Sequence, residues 1–306
     1  MARIAVIGSL NMDLVMRAPR IPKPGETILG ADDLHMIPGG KGANQAYASA
    51  RLGAEVAMIG RVGGDTFGEQ LITSLSKAGV DTQHIIHDSD ASTGIALIVV
   101  EAGGQNSIVV SSGANGRVTP SDISRAEDVI RSADLTLLQL EIPLPAVIKA
   151  AQCAQNHGVK VILNPAPAQQ LPAELLSLTD ILIPNETEAS MLSGCDVDTD
   201  DGIRQTASGL RQSGVKTIIM TRGSRGASLI TESKVEYFPA FPVEPVDTTA
   251  AGDAFVGSFA VAFAEGKSLA EAIRCGNAAG ALASTKPGAQ PSMPGRDDLD
   301  KLLKTI

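Results

Sequence analysis

Three stretches of the chain share one order of positions: a mixed polar and apolar segment with helical period, a glycine, then an unbroken apolar run. "ARLGAEVAMIG", "QNHGVKVILNP" and "RQSGVKTIIMTRG" all follow it, placing Gly53, Gly158 and Gly214 just past a predicted helix end. That position favours a left-handed backbone and therefore glycine. The apolar runs are continuous rather than alternating, as strands covered on both faces require. "RIAVIG", "DLTLLQLE" and "DILIPN" read as further strands of this kind. Strands alternating with helices predict an α/β fold, a parallel sheet with helices on both sides.

Two segments break the rhythm. Residues 12–38 carry Pro19, Pro22, Pro24 and Pro38 without a helical period, and residues 93–112 read as two short strands around "AGGQ", a hairpin signal. Neither has a helix of its own. They predict a small β-element projecting from the main sheet, with a lid as its functional reading and an edge hairpin as its plain one. Near the end, "GDAFVGSFAVAFAEG" and "SLAEAIRCGNAAGALAS" predict two helices whose alanines and glycines permit close packing.

Composition narrows the picture. The chain has 306 residues, 43% hydrophobic and 19% charged, enough apolar surface for a large core in one domain spanning 1–306. Its 25 basic and 34 acidic residues leave a net charge of −9, so no global field draws it to nucleic acid or to an anionic membrane. Any anionic ligand must be held locally. Cys153, Cys195 and Cys275 are widely spaced, which predicts neither a disulfide framework nor a zinc cluster. Cys153 and His157 lie four apart on a predicted helix, and two ligands do not make a metal site. No run approaches the ~20 apolar residues of a membrane span, so the expectation is a cytoplasmic, reduced protein.

The chemistry concentrates in "DTTAAGDAF", residues 247 to 255. An apolar helix follows, and the small residues before it expose backbone N–H groups at its positive end, where an anion such as phosphate can approach closely. Asp253 makes sense there as the group that takes a proton from a hydroxyl attacking that phosphate, or, more plainly, as a helix cap. A second stretch, "GGKGANQA", brings glycines, Lys41 and Asn44 to a helix start, suited to a polyhydroxylated ligand. It is neither a Walker A loop nor G-x-G-x-x-G. The only "GKS", Gly266 to Ser268, has Val261 where the leading glycine belongs.

Taken together, "GSLNMD", "GGKGANQA", "LQLEIP", "NPAPA", "PNETEA", "TRGSRGA", "DTTAAGDAF" and "KPGAQPS" run in order from residue 8 to residue 292. In this the chain resembles the ribokinase family of carbohydrate kinases, the PfkB family. The GGKGANQA form and the closing GAQPS look like ribokinases rather than fructokinases or adenosine kinases. The resemblance implies a ribokinase-like three-layer sandwich with a mostly parallel central sheet and a small β-sheet lid formed by 12–38 and 93–112. It implies ATP-dependent phosphorylation of D-ribose at O5, with Asp253 as general base and the N–H groups of Ala250, Ala251, Gly252 and Asp253 as an anion hole. At its ordinary value that aspartate is ionised at neutral pH.

By the same resemblance, Asp13, Gly40, Lys41, Asn44 and Glu141 hold the sugar; for Asp13 and Glu141 the plain alternative is capping at a strand end. Asn185 and Glu188 attend Mg²⁺ and the phosphates through water. Thr221, Gly223, Gly226, Gly252 and Asn277 belong to the nucleotide site. Asp247, Thr249, Ala283, Lys286, Gly288 and Ser292 surround a K⁺ ion, several through carbonyls, with the Lys286 ammonium turned away. Paired lids imply a homodimer. The alternatives are a kinase of the same family acting on deoxyribose, fructose or an adenosine-like nucleoside, or a non-catalytic sugar-binding homologue.

Overall fold

The computed structural model describes residues 1–103, 105–197, 199–231 and 234–305. The strands among the described residues are β1 (Arg3–Ile7), β2 (Asn11–Ala18), β3 (His35–Gly39), β4 (Glu55–Gly63), β5 (Ile85–Asp88), β6 (Gly94–Glu101), β7 (Asn106–Ser111), β8 (Leu135–Leu138), β9 (Lys160–Leu163), β10 (Ile181–Leu182), β11 (Thr217–Thr221), β12 (Ala227–Ile230) and β13 (Val235–Phe238). Nine form one sheet in the order β13-β12-β11-β10-β9-β8-β1-β4-β5. All pairings from β11 to β5 are parallel, and β12 and β13 close one edge antiparallel.

The continuous apolar runs fill two cores at once. Along β1, Ile4 and Val6 enter one core while Ala5 and Ile7 enter the other, and along β9 Ile162 faces away from Val161 and Leu163. Successive strand side chains point to opposite faces, so a strand buried on both must be apolar throughout. The first core is closed by the Lys41–Arg51, Thr66–Lys77, Ala251–Ala264 and Leu269–Ser284 helices, and the second mainly by Leu144–Asn156 and residues 200–212. Helices on both faces make the three layers that the alternation predicts. Gly53, Gly158 and Gly214 all take positive φ.

The second sheet has the order β3-β2-β6-β7, with β2 and β6 parallel and both outer pairs antiparallel. Its strands come from the two irregular segments; Gly104 of the "AGGQ" turn lies outside the described residues. Asn115 fastens its root. The Asn115 side chain accepts from the Leu10 N–H at 2.9 Å and donates to the Leu10 carbonyl at 3.0 Å and to Asn11 Oδ1 at 2.7 Å. The face carrying Met36, Leu97 and Val109, which the strand register sets on the side opposite Asp13, stays open to solvent, each of the three half exposed or more. No described helix is long and apolar enough to cross a membrane.

The Lys41–Arg51 and Ala251–Ala264 helices touch at Gly257, where an added Cβ would lie 2.8 Å from the Ala48 Cβ and 3.0 Å from the Gln45 carbonyl oxygen. Phe255 and Phe259 stack along the other side of the Ala251–Ala264 helix, centroids 6.4 Å apart. Gly257→Val is therefore expected to lower stability by about 1–3 kcal/mol through overpacking, measured as the urea midpoint. An unchanged midpoint would show that the two helices can part freely.

Candidate active site

The Ala251–Ala264 helix starts from a left-handed residue. Ala250 has φ 58° and ψ 10°, the only positive φ outside glycine among the described residues. For a residue with a Cβ this conformation costs roughly 1–2 kcal/mol, and such strain gathers at functional sites. Ala250 is the N-cap and Asp253 is the third helical residue, so Asp253 does not cap the helix. Ala254 N–H opens the helical ladder on the Ala250 carbonyl at 2.9 Å. The N–H groups of Ala250, Gly252 and Asp253 have no acceptor among the described residues. Ala251 corrects the expectation of four free donors: its N–H already reaches the Thr248 carbonyl at 3.2 Å.

Asp253 is only 7% exposed, and both its oxygens accept from the neighbouring helix. Asn44 Nδ2 donates to Oδ2 at 2.9 Å and Gln45 Nε2 to Oδ1 at 3.0 Å. That neighbouring helix starts in the glycines of "GGKGANQA". Gly40 has φ 87°, and a Cβ there would stand 2.6 Å from the Asn11 nitrogen, so only glycine admits the turn. No side chain at the N-cap satisfies the first N–H groups. Glu141 Oε2 accepts from Lys41 N–H at 3.0 Å, the Ser9 hydroxyl accepts from Gly42 N–H at 3.3 Å, and the Ser9 carbonyl accepts from Ala43 N–H at 2.9 Å. Glu141 thus does serve as a cap, across the sheet. Asp13 does not: its carboxylate makes no hydrogen bond among the described residues and packs against Gly39, where an added Cβ would fall 2.3 Å from Oδ2.

Four carboxylates, Asp13, Glu141, Glu188 and Asp253, interact with the Lys41 ammonium. Burial pulls that ammonium's pKa down, and attraction to the four acids outweighs it, so the net shift is upward. Burial, followed by repulsion from Glu141 and Asp253, pushes Asp13 up to about 7. Burial also pushes Asp253 up, against the opposing pull of Lys41, Gln45 and Asn44. The ordinary carboxylate value assumed from sequence therefore does not hold at Asp253, and a base whose pKa is raised accepts a proton more readily.

A cavity of about 220 Å³ opens beside this group, lined among others by Lys41, Asn185, Glu188, Thr221, Gly252 and Asp253. Asn185 and Glu188 form a capping box at the start of the Glu186–Ser193 helix: Asn185 Oδ1 accepts from Glu188 N–H, and Glu188 Oε2 from Asn185 N–H, both at 2.8 Å. The N-x-x-E spacing is thus first a helix start, one that leaves a buried carboxylate at the cavity wall. Burial raises the Glu188 pKa against the Asn185 N–H and Lys41, and Asp253 adds to the rise. Thr221 donates its N–H to the Pro184 carbonyl at 2.9 Å, holding β11 beside Asn185.

Gly223, Gly226 and Asn277 do not line the cavity. The Asn277 amide donates to the Phe238 and Pro239 carbonyls, each at 3.1 Å, and fastens the Leu269–Ser284 helix to the end of β13. A wider depression of about 420 Å³ is lined by Glu69, Gln70, Thr73, Ser74 and Lys77 of a single helix and shares nothing with the Asp253 group.

Asp247 gathers two of the loops assigned to a cation. Its oxygens accept from Thr249 N–H at 2.9 Å and Gly288 N–H at 2.8 Å, and its own N–H reaches the Ser284 carbonyl at 3.1 Å. Burial opposes ionisation there, yet the Thr249 and Gly288 donors hold the carboxyl below its usual range. Lys286 N–H donates to the Ala283 carbonyl at 3.2 Å and its side chain is exposed; the Ser292 hydroxyl donates to the Ala289 carbonyl at 2.8 Å. Elsewhere, Glu127 joins Cys153 and His157, with ligand atoms within 4.8 Å of one another. The His157–Glu127 contact of 2.8 Å ties two helices together, in keeping with a structural role for that pair.

Residues unassigned from sequence also enter the group. Gln45, Gln139 and Asn164 join Asp253 through side-chain amides, and Ser9 and Asn11 approach Glu141. All five stand inside the quoted motifs. Their signal was there in the letters, but not in any spacing rule.

The pfkB family carbohydrate kinase model matches residues 1–296. A ribokinase of Haemophilus influenzae is 45% identical over 98% of this chain and 98% of its own, and a deoxyribokinase of Salmonella typhi is 39% identical over the same shares. The structure of Arabidopsis thaliana ribokinase complexed with ribose and ATP is 38% identical, with a TM-score of 0.93 over 99% of each chain.

The Asp13 proton gives a stability test. Its folded pKa lies above the unfolded one, so the stability it contributes is complete below about pH 4 and lost as pH rises through about 7. Asp13→Asn, which mimics the protonated form, is expected to stabilise the ligand-free protein at about pH 8 by roughly 1 kcal/mol or more, and to do little at about pH 4. Urea denaturation at both values checks this; an equal effect at both would remove the buried proton from the account.

Proposed function

Because the chain belongs to the pfkB family of carbohydrate kinases, we propose that it transfers the γ-phosphoryl group of ATP to O5 of D-ribose, giving D-ribose 5-phosphate and ADP. One observation carries this reading: a buried carboxylate with both oxygens held by amide donors, facing a cavity, at a helix start where the N–H groups of Ala250, Gly252 and Asp253 have no acceptor among the described residues. The relatives that phosphorylate ribose by name, and the neighbour solved with ribose and ATP, support the choice of substrates.

In this mechanism Asp13, Gly40, Lys41, Asn44 and Glu141 hold the sugar hydroxyls. Asp13, whose carboxylate makes no hydrogen bond among the described residues, is placed to engage one. Asp253 accepts the proton of the 5-hydroxyl as that oxygen bonds to the γ-phosphorus, and the bond from phosphorus to the bridging oxygen breaks towards ADP. The N–H groups of Ala250, Gly252 and Asp253 receive the charge on the moving group. Asn185 and Glu188 offer hard oxygen donors at the cavity wall, which fit Mg²⁺ held through water, and the ion when bound neutralises phosphate charge. Thr221 borders the phosphates, with Gly223, Gly226 and Asn277 further out along the nucleotide.

The ionised Asp247 and the carbonyl-rich turns around Thr249, Ala283, Lys286, Gly288 and Ser292 fit a K⁺ ion. The four-stranded sheet carries Asp13 and Gly39 and acts as a lid that excludes water. Its exposed Met36, Leu97 and Val109 share the face turned away from Asp13, an apolar surface suited to the lid of a second copy, making a homodimer. Three free cysteines suit a cytoplasmic, reducing setting. A second reading, 2-deoxyribose as acceptor, is favoured by the deoxyribokinase at 39% identity.

Asp253→Asn is expected to lower kcat by about 10²–10⁴-fold while ATP binding by calorimetry stays near wild type; near-normal turnover would mean another base. A panel of ribose, deoxyribose, fructose and adenosine with ATP, run in K⁺ and in Na⁺, is expected to show ribose turned over fastest, and faster in K⁺. Ribose no better than fructose or adenosine would defeat the assignment, a preference for deoxyribose would select the second reading, and equal rates in the two salts would remove the K⁺ site.

A further inference from the structure

Gln45 is completely buried, and all of its side-chain polar atoms are engaged. Its Nε2 donates to Asp253 Oδ1 at 3.0 Å and to Asn164 Oδ1 at 3.1 Å, while its Oε1 accepts from Gln139 Nε2 at 2.6 Å. A side-chain amide can face either way, and its orientation follows from its partners. Here the partners trace back to an acceptor that cannot turn. The backbone carbonyl of Ile183, just after β10, accepts from Asn164 Nδ2 at 2.9 Å. Asn164 must therefore turn Oδ1 to Gln45, and Gln45 must answer with its amide nitrogen, which then also meets Asp253. At the other end Gln139 Nε2 donates to Gln45 Oε1, so a flip of Gln45, which would set its oxygen against the carboxylate, would require Gln139 to turn as well.

We propose that Gln45 is a positioning residue for the Asp253 carboxylate, holding Oδ1 through an amide whose direction is set from the Ile183 carbonyl. Asn44 holds the other oxygen, so the carboxylate is clamped in rotation. The role of this clamp in catalysis rests on the reading of Asp253 as the base.

The charged groups facing Asp253 are Lys41 on the helix that carries Gln45, Glu141 after β8, Asp13 on β2 and Glu188 on the Glu186–Ser193 helix. All remain in Gln45→Met, so a change in Asp253 titration reports the lost donor. Removing a donor from a buried carboxylate disfavours its ionised form. The Asp253 midpoint should rise by about one pH unit, equivalent to roughly tenfold less ionised base at a fixed pH below it. Turnover should therefore fall on the acidic side of the pH profile and recover as pH rises, with KM for sugar and for ATP little changed.

The experiment is an isotope-edited infrared titration of protein labelled with ¹³C-aspartate, with the Asp253 band assigned from Asp253→Asn, alongside kcat and KM profiles against pH. An unmoved midpoint in Gln45→Met, or a loss of turnover carried by KM at every pH, overturns the proposal. Should that variant fail to fold, Gln45→Leu removes the same donor with an apolar side chain of different shape. The same upward direction is expected there, and an unmoved midpoint overturns the proposal equally. The infrared reading does not need turnover: undiminished activity in Asp253→Asn would end the base assignment, while the band still decides whether Gln45 holds the carboxylate.

Discussion

A carboxylate taken almost wholly out of water keeps its charge only where donors meet both of its oxygens. At Asp253 the donors come from a different helix, so the condition is one on packing before it is one on chemistry. The Lys41–Arg51 and Ala251–Ala264 helices must approach closely enough for Asn44 and Gln45 to reach across, and Gly257 against Ala48 sets that separation. The opening of the Lys41–Arg51 helix is fixed in turn by Ser9 and Glu141, which lie at strand ends of the central sheet. The parallel sheet, the glycine-rich helix start and the carboxylate are thus links in one chain of causes.

Charge balance explains the rest of the group. One ammonium, Lys41, faces four carboxylates, and the burial of Asp13, with repulsion from Glu141 and Asp253 added to it, keeps the Asp13 proton near neutrality. Such a group suits a ligand rich in hydroxyls, each able to donate to one oxygen and accept from another group. An anionic phosphoryl group cannot be held by these acids. Its place is at the free N–H groups of Ala250, Gly252 and Asp253, where no side chain obstructs it. The left-handed turn at Ala250 leaves those amides without internal acceptors.

Much of the frame was legible from letters alone, because it obeys local rules. Gly53, Gly158 and Gly214 announced helix ends, and runs such as "KVIL" announced strands buried on both faces. The motif order brought Asp253, Lys41, Asn44, Asn185 and Glu188 to one region. What stayed hidden depends on long-range placement. That β2 would pair in parallel with β6 follows from no local pattern. That Glu141 would cap a helix from 100 residues away, while Asp13 would cap nothing, needs the folded sheet. The burial that lifts Asp253 above its ordinary value, and the Ile183–Asn164–Gln45 amide relay, are likewise products of assembly. Ala250 is the instructive miss: an alanine gives no warning of a left-handed backbone, so the bonded amide of Ala251 could not be told from its free neighbours.

The most direct test of the central claim is a crystal structure with D-ribose, Mg²⁺, ADP and a planar fluoride mimic of the moving phosphoryl group. An Asp253 oxygen is expected about 2.6–3.2 Å from O5 of the sugar, with the Gly252 and Asp253 nitrogens about 2.7–3.1 Å from the fluorides. A mimic bound away from that helix start, with the Asp253 carboxylate beyond hydrogen-bond reach of O5, would contradict the claim.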